Sequence, residues 1–510
     1  MATSNDSKDS SVKKTLDFCE ENINNYNNYM GFFFSYFISN PYDPQNFNSN
    51  ILPNFINNIK KLVNHIDEIK DKEEYRDIYQ SLSCIFGAFL GDAIGAYCEF
   101  KPASKDNIKY IFCGNPLFGD SPGQVTDDSE MAICSAFAIM DNQNMLRINK
   151  DYLYYYYGCW YLTQPRDIGF TTRSALMNFN ITDFDPNSND NYKNNFQFIK
   201  TSNNKSLANG FLMRTSPLIV WCYYRFKKLI QETFKNPEKK KLLELFEIIR
   251  IQVKKDNLCT HPNNSICIAH SCFSIMALAA ICGYNASQIL DFEEKLLTNE
   301  YFDNGGALEI KKMIMEEINQ HKKDKEENKN ISEIQEEKGF EYFSKIKDVN
   351  FHMGFYVHAY RLTLYYLAYF DYIKADSNFT KYRIIMNQIC SYGGDTDTNA
   401  AIVGTVIGPL VGYKNFGNKE FKTMVELIPN QRYVFSPALM VLYVYFLKES
   451  NNEGKIKNKM NFLRMILNAS YEEIDMQRLY KIHIENKENN NNSIEEIQKE
   501  EDKEEEEEKK

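Results

Sequence analysis

The chain has 510 residues, 43% of them hydrophobic and 14% aromatic, enough apolar material for a large core. Its net charge is −10, and residues 485–510 carry most of it, with twelve acids against five bases. The rest is nearly neutral, which excludes a nucleic-acid binder working through a broad basic surface.

Residues 1–72 are rich in Asn and Lys and contain the aromatic run Phe32, Phe33, Phe34, Tyr36 and Phe37. This composition predicts a partly helical N-terminal extension that docks on the main domain. The opening MATSNDSKDSSVKK has no apolar h-region. The twelve cysteines form no CxxC pair and no cluster with histidine at zinc-ligand spacing. Reduced thiols in a cytoplasmic or nuclear protein are expected.

From about 73 to 447, within a domain expected to span 73–484, the pattern is helical. Ile78, Leu82, Ile85 and Phe89 recur at steps of three and four, as do Ile266, Ala269, Phe273, Met276 and Ala280; Met131, Cys134, Phe137 and Ala138 share one helical face. Two-residue alternation is scarce, so one all-α domain is predicted. Residues 181–204 are Asn/Asp-rich and read as a loop. Residues 315–348, dense in Lys and Glu, read as a charged insertion forming a solvated helical excursion. The stretch 267–284 is the most apolar, with no other expected to come close, but it carries His270, Ser271 and Ser274; it reads as a core helix, and no membrane contact is expected. The tail 485–510 is predicted to be disordered.

Of 22 glycines, six fall in residues 81–130 and six in 393–417. Glycine is unfavourable inside helices, so such clustering marks close helix contacts or backbone brought near a ligand. In GAFLGDAIGAYCEF, residues 87–100, Gly87, Gly91 and Gly95 step by four and form a bare stripe for helix packing. Asp92 and Glu99, two turns apart, fall toward the same side of that helix and need partners. Thr126, Asp127 and Asp128 precede an apolar helical run, as do Asp395, Thr396, Asp397 and Thr398. Each group alone is an ordinary helix cap. Brought together, their carboxylates and hydroxyls would repel unless hard cations sat between them, and such oxygens are Mg²⁺ or Mn²⁺ ligands. A two-metal site is the reading that accounts for both.

These motifs, in this order, resemble the ADP-ribosylglycohydrolases. GDAIGAYCEF is similar to the opening G-D-x-x-G helix of that family, and TDDS at 126–129 to its first metal motif. DIGFTT at 167–172 resembles its D-x-G-x-T segment, and NGFLMR at 209–214 its N-G-x-x-M-R loop. Thr260–His261 and GGDTDTNAA at 393–401 complete the set. The resemblance implies a compact all-α bundle with two Mg²⁺ in a cleft, Mn²⁺ being the alternative. The implied ligands are Thr126, Asp127, Asp128, Asp395, Asp397 and Thr398. Glu99 matches an acid that gates the metal site in the serine-linkage branch. Ser206, Asn209, Gly210, Met213, Arg214 and His261 would lie along the ADP-ribose pocket. Phe170, Phe211 and Leu212 depart from the residues usual there.

The expected activity is hydrolysis of the glycosidic bond between ADP-ribose and a modified protein side chain or small acceptor, by a monomer. Asp127, Asp128, Asp397 and Glu99 are the candidate catalytic acids, with the general base left open among them. A catalytically silent ADP-ribose-binding module is the competing reading.

Overall fold

This computed structural model describes residues 76–412 except 108–114, 116, 118–122, 142–146, 163–164, 181–182, 186–187, 189–190 and 328–338, together with Met440, Tyr443, Val444 and Leu447. The N-terminal extension and the acidic tail predicted from sequence lie outside the described residues. Within them the protein is all-α, as the periodicity predicts, with no strand and one isolated bridge between Ala208 and Phe355.

Two apolar helices cross at the centre: α1 (Arg76–Gly95), and a partner from the far end of the described chain, Thr396–Val411. Their contact is backbone against backbone. A Cβ on Gly87 would lie 2.3 Å from the Gly404 carbonyl oxygen, and one on Gly91 2.3 Å from that of Ala400. In the other direction, a Cβ on Gly408 would meet the Ser83 oxygen at 2.1 Å. The predicted glycine stripe is therefore a packing seam, and the second glycine cluster supplies its other half. Tyr382 donates to the Gly87 carbonyl at 2.5 Å, and Thr396 Oγ1 to that of Gly95 at 2.7 Å. Both satisfy oxygens at helix positions where two backbones meet.

The other helices enclose this pair. The first half contributes α2 (Asp127–Asp141), α3 (Lys150–Leu162), α4 (Phe170–Leu176), α5 (Lys193–Ser202), α6 (Ser216–Arg225) and α7 (Lys227–Lys235). The second contributes α8 (Lys239–Leu258), α9 (Asn264–Ile281), α10 (Ala286–Leu297), α11 (Gly305–Glu327), α12 (Tyr356–Tyr369) and α13 (Asn378–Tyr392), and the central partner is α14. Helices α9, α12 and α13 pack on α14, while α2 and α6 pack on α1. Asn263 caps α9 by accepting from the Ser265 and Ile266 amides, and Asn285 with Gln288 forms a capping box on α10.

Three sequence expectations change. Residues 181–204 are not all loop: α5 forms there because Phe196 and Ile199, three apart, bury one face, and no Gly or Pro interrupts it. The charged insertion is solvated only in part, since its first residues continue α11 and bury Glu317, Ile318 and His321. Glu317 accepts from the Tyr342 hydroxyl at 2.9 Å and pairs with Arg361 at 2.8 Å, so its charge is met by partners. Residues 267–284 are not alone in apolarity. The segments Arg76–Cys98 and Asn264–Ile281 are both long and apolar enough to span a membrane, and their apolar windows are 94% and 89% buried within the bundle.

The seam gives a direct test. Gly91→Ala forces a methyl into the Ala400 carbonyl and is expected to destabilise the fold by about 1–3 kcal/mol. Gly169→Ala, which meets nothing within 4 Å, should change stability by less than about 0.5 kcal/mol. Denaturant melts of both variants check this, and equal midpoints would refute a backbone-contact seam.

Candidate active site

Asp92 is fully buried on α1 and aims at the start of α2. Its carboxylate accepts the Thr126 amide at 3.0 Å and the Ser129 amide and hydroxyl at 3.1 and 2.5 Å. Asp92 is thus the N-cap of α2, supplied from another helix. Burial raises its pKa to about 7, against the lowering effect of these hydrogen bonds. With the cap filled from outside, the carboxylates of Asp127 and Asp128 are released for other work.

The second motif is placed by the seam and by a turn. Gly393 and Gly394 have φ of +73° and +77°, and a Cβ on either would meet backbone oxygens of Lys101 or Val349. The chain then enters α14 at Asp395, whose side chain makes no capping hydrogen bond. Across the seam Gly95 lies against Asp397, so the two motif starts face each other. Thr126 Oγ1 and Thr398 Oγ1 both donate to Asp128 Oδ2 at 3.1 Å. Two motifs 270 residues apart are thereby joined through one carboxylate oxygen.

Glu99 is not on the α1 face that its spacing from Asp92 predicts. Helix α1 ends at Gly95, a short 3-10 turn covers Ala96–Cys98, and Glu99 follows in extended backbone at φ −55°, ψ 139°. Its carboxylate nevertheless reaches the site, accepting from Asn115 Nδ2 at 2.8 Å. Oxygens of Glu99, Asp167 and Asp397 all lie within 4.8 Å of one another, a group able to hold a metal ion. Asp167 is a candidate ligand that its sequence motif left unassigned. It opens the DIGFTT segment, but a lone Asp before a short helix carries no signal of its own.

The electrostatics of this cluster are unfavourable without a cation. Burial, then Asp167, Asp395 and Asp127, push the Glu99 carboxyl up to about 10. Burial first, and neighbouring carboxylates after it, raise Asp127, Asp128 and Asp397 well above the usual range. Asp128 Oδ1 and Asp397 Oδ1 are buried with no hydrogen-bond partner. Buried acceptor oxygens without donors, packed among like charges, have the chemistry of a hard-cation site.

Three further segments border the cluster. Ser206 Oγ bonds Thr171 Oγ1 at 2.9 Å, tying the 206–214 loop to α4. Asn209 Nδ2 donates to Asp395 Oδ2 at 2.7 Å. Gly210 faces His261, where a Cβ would be 2.9 Å from the ring. Met213 is buried, and Arg214 turns into the interior. The Arg214 guanidinium bonds Asp256 Oδ2 at 3.2 Å, lies 4.3 Å from the centre of the Tyr157 ring and donates to Thr260 Oγ1 at 2.8 Å. Thr260 in turn meets His261 Nδ1 at 2.7 Å. Burial, then Arg214, lowers the His261 pKa well below its ordinary value, so the ring is neutral. Phe170 stands 86% exposed at the first position of α4, the largest departure from a buried aromatic in this region.

Helix capping explains Asp92 but leaves these converging carboxylates unexplained, and comparison with known proteins agrees with a catalytic reading. A family model described as ADP-ribosylglycohydrolase matches residues 73–425. The chain belongs to the ADP-ribosylglycohydrolase family, and its enzyme class is that of a hydrolase acting on glycosyl bonds. It is 27% identical over 346 residues to a protein of Acanthamoeba polyphaga mimivirus described as an ADP-ribosyl glycohydrolase, covering 64% of this chain and 86% of that one. It is 25% identical over 175 residues to an ADP-ribosylarginine hydrolase of Serratia proteamaculans, covering 32% of this chain and 42% of the relative. A solved structure described as an ADP-ribosylglycohydrolase-related protein complex aligns with 73% of this chain and 99% of its own at 17% identity and a TM-score of 0.44.

The raised Glu99 pKa has a definite sign. An acid whose pKa rises on folding holds its proton more tightly in the folded state, so its stabilising effect is complete below the unfolded value of 4.5 and is lost as pH rises toward about 10. In EDTA, Glu99→Gln keeps the shape and removes the charge, and should melt above the wild type at about pH 8. The difference should shrink as the pH approaches about 5. Thermal melts across this range check it, and a difference independent of pH would refute the raised carboxyl.

Proposed function

We propose that this protein is a Mg²⁺-dependent hydrolase that releases ADP-ribose from a modified protein side chain or a small acceptor. The observation that carries the reading is the meeting of Thr126, Asp128 and Thr398 across the glycine seam, beside the Glu99, Asp167 and Asp397 carboxylates. The oxygen-only donor set suits Mg²⁺, with Mn²⁺ as the alternative. Thr126, Asp127, Asp128, Asp395, Asp397 and Thr398 would hold two such ions, with Glu99 and Asp167 at the edge of the set. Bound there, the cations would supply Lewis-acid charge for ribose hydroxyls and for water.

The chain's own residues do the rest. A glycosidic bond to ribose breaks through an oxocarbenium-like state, and a carboxylate must take the proton of the attacking water. Glu99 is one candidate: its Oε2 is fixed by Asn115, and cations bound beside it would offset the neighbouring carboxylates that hold its proton on in their absence. Asp127, Asp128 and Asp397 remain candidates for the same role. Neutral His261 and the Thr171–Ser206 pair border the path along which the ADP-ribose moiety would lie. The seam and the buried Arg214–Asp256 pair keep these groups in register, which is what positioning requires.

The test is release of ADP-ribose from arginine-linked and serine-linked ADP-ribosylated proteins, with Mg²⁺ and with EDTA. Release should require the cation. Asp397→Asn, which keeps volume but removes a charge, should lower turnover by about 100-fold or more while leaving helicity unchanged. ADP-ribose binding without release of either linkage would overturn hydrolysis in favour of a silent binding module. Near wild-type turnover by Asp397→Asn would remove the metal assignment.

A further inference from the structure

Asp395 occupies the N-cap position of α14, where an Asp side chain ordinarily accepts a backbone amide of its own first turn. Here it makes no such bond. Its Oδ2 accepts instead from Asn209 Nδ2 at 2.7 Å, from a loop 186 residues earlier in the chain.

Asn209 is itself held on every side. Its amide donates to the Gly354 carbonyl at 2.9 Å, and its carbonyl accepts from Leu212 at 2.8 Å and Met213 at 3.3 Å. The neighbouring Ala208–Phe355 bridge fixes the same crossing. Gly354 leaves room there, since a Cβ on it would stand 3.8 Å from both Asn209 Oδ1 and Asp395 Oδ2. A rigid backbone thus aims one amide donor at one carboxylate oxygen. Such a donor fixes orientation without bringing a charge that would compete with a cation.

We infer that Asn209 is a positioning residue: it draws Asp395 out of the capping rotamer and presents that carboxylate to the cation site. The inference rests on the cation site proposed above. Asn209 therefore acts on the metal through Asp395, a role beside the one expected of it along the ADP-ribose pocket. Two demands on Asp395 compete, capping and cation binding, and Asn209 decides between them.

The experiment is Mn²⁺ binding to the full chain, followed by the electron paramagnetic resonance signal of the free ion, with metal-free thermal melts alongside. Wild type should bind Mn²⁺. Asn209→Ala should bind it about 10- to 100-fold more weakly, while its metal-free melting temperature stays the same or rises, because Asp395 is then free to cap α14. A merely structural asparagine would lower the melting temperature instead. Asn209→Leu, similar in size but without a donor, should weaken Mn²⁺ by a similar factor and serves if the alanine variant does not fold. In an Asp395→Asn background, Asn209→Ala should weaken Mn²⁺ no further. Wild-type Mn²⁺ affinity in both Asn209 variants would overturn the inference and leave the cation site standing. A wild type that binds no Mn²⁺ would overturn the cation site and the inference with it.

Discussion

The contact on which this molecule depends is the crossing of two backbones. Helices α1 and α14 meet backbone to backbone: Gly87 and Gly91 oppose the backbone of Gly404 and Ala400, and Gly95 opposes that of the first turn of α14. Close approach gains dispersion along the whole crossing and permits weak Cα–H to carbonyl contacts. It also fixes geometry at short range. Asp92 leaves α1 one residue after Gly91 to cap α2, and Gly95 sits against Asp397. One apolar seam therefore sets both halves of a polar site.

That site stores electrostatic repulsion, and the rest of the protein shows how unusual this is. Two other buried acids among the described residues are matched by cations. Asp256 meets Arg214 and the Tyr157 hydroxyl, and Glu317 meets Arg361 and the Tyr342 hydroxyl. In this cluster, Glu99, Asp127, Asp128 and Asp397 have other carboxylates as their main charged neighbours. Burying such a group is unfavourable in proportion to its isolation from counter-charge. A fold that keeps it does so by rigid packing around it, and the seam provides that rigidity. The same repulsion is what a hard cation bound there would relieve.

The segments around the cluster act as a frame of directed hydrogen bonds. Thr171 meets Ser206, Asn209 meets Asp395, and Asn203 donates to the carbonyls of Thr171 and Thr260. These bonds join α4, the 206–214 loop, the Thr260–His261 pair and the start of α14. His261 and His270 flank the ring of Phe211 at 6.0 and 5.3 Å, yet differ in chemistry. Both ring nitrogens of His270 are engaged, by Asn257 and Thr215, whereas His261 Nε2 has no partner. Phe211 and Leu212, departures from the family pattern in sequence, are fully buried, so they change the loop's support rather than its exposed edge.

The sequence by itself determined the helical class, the glycine stripe and the motif residues, because periodicity and residue type are local properties. It misread residues 193–202, where Phe196 and Ile199 gain their value only from a surface to pack on. It put Glu99 on the face of Asp92, because helical spacing does not announce that α1 stops at Gly95. It left Asp167 unassigned and set Arg214 along the pocket. Those roles are relations between distant segments: Asp167 matters because Glu99 and Asp397 stand within 4.8 Å, and Arg214 because Asp256 awaits it in the interior. Whether an Asp before a helix caps that helix or faces a cleft is likewise undetermined by the motif. Only the tertiary structure decides, by supplying an outside cap from Asp92 for α2 and an outside donor from Asn209 for Asp395.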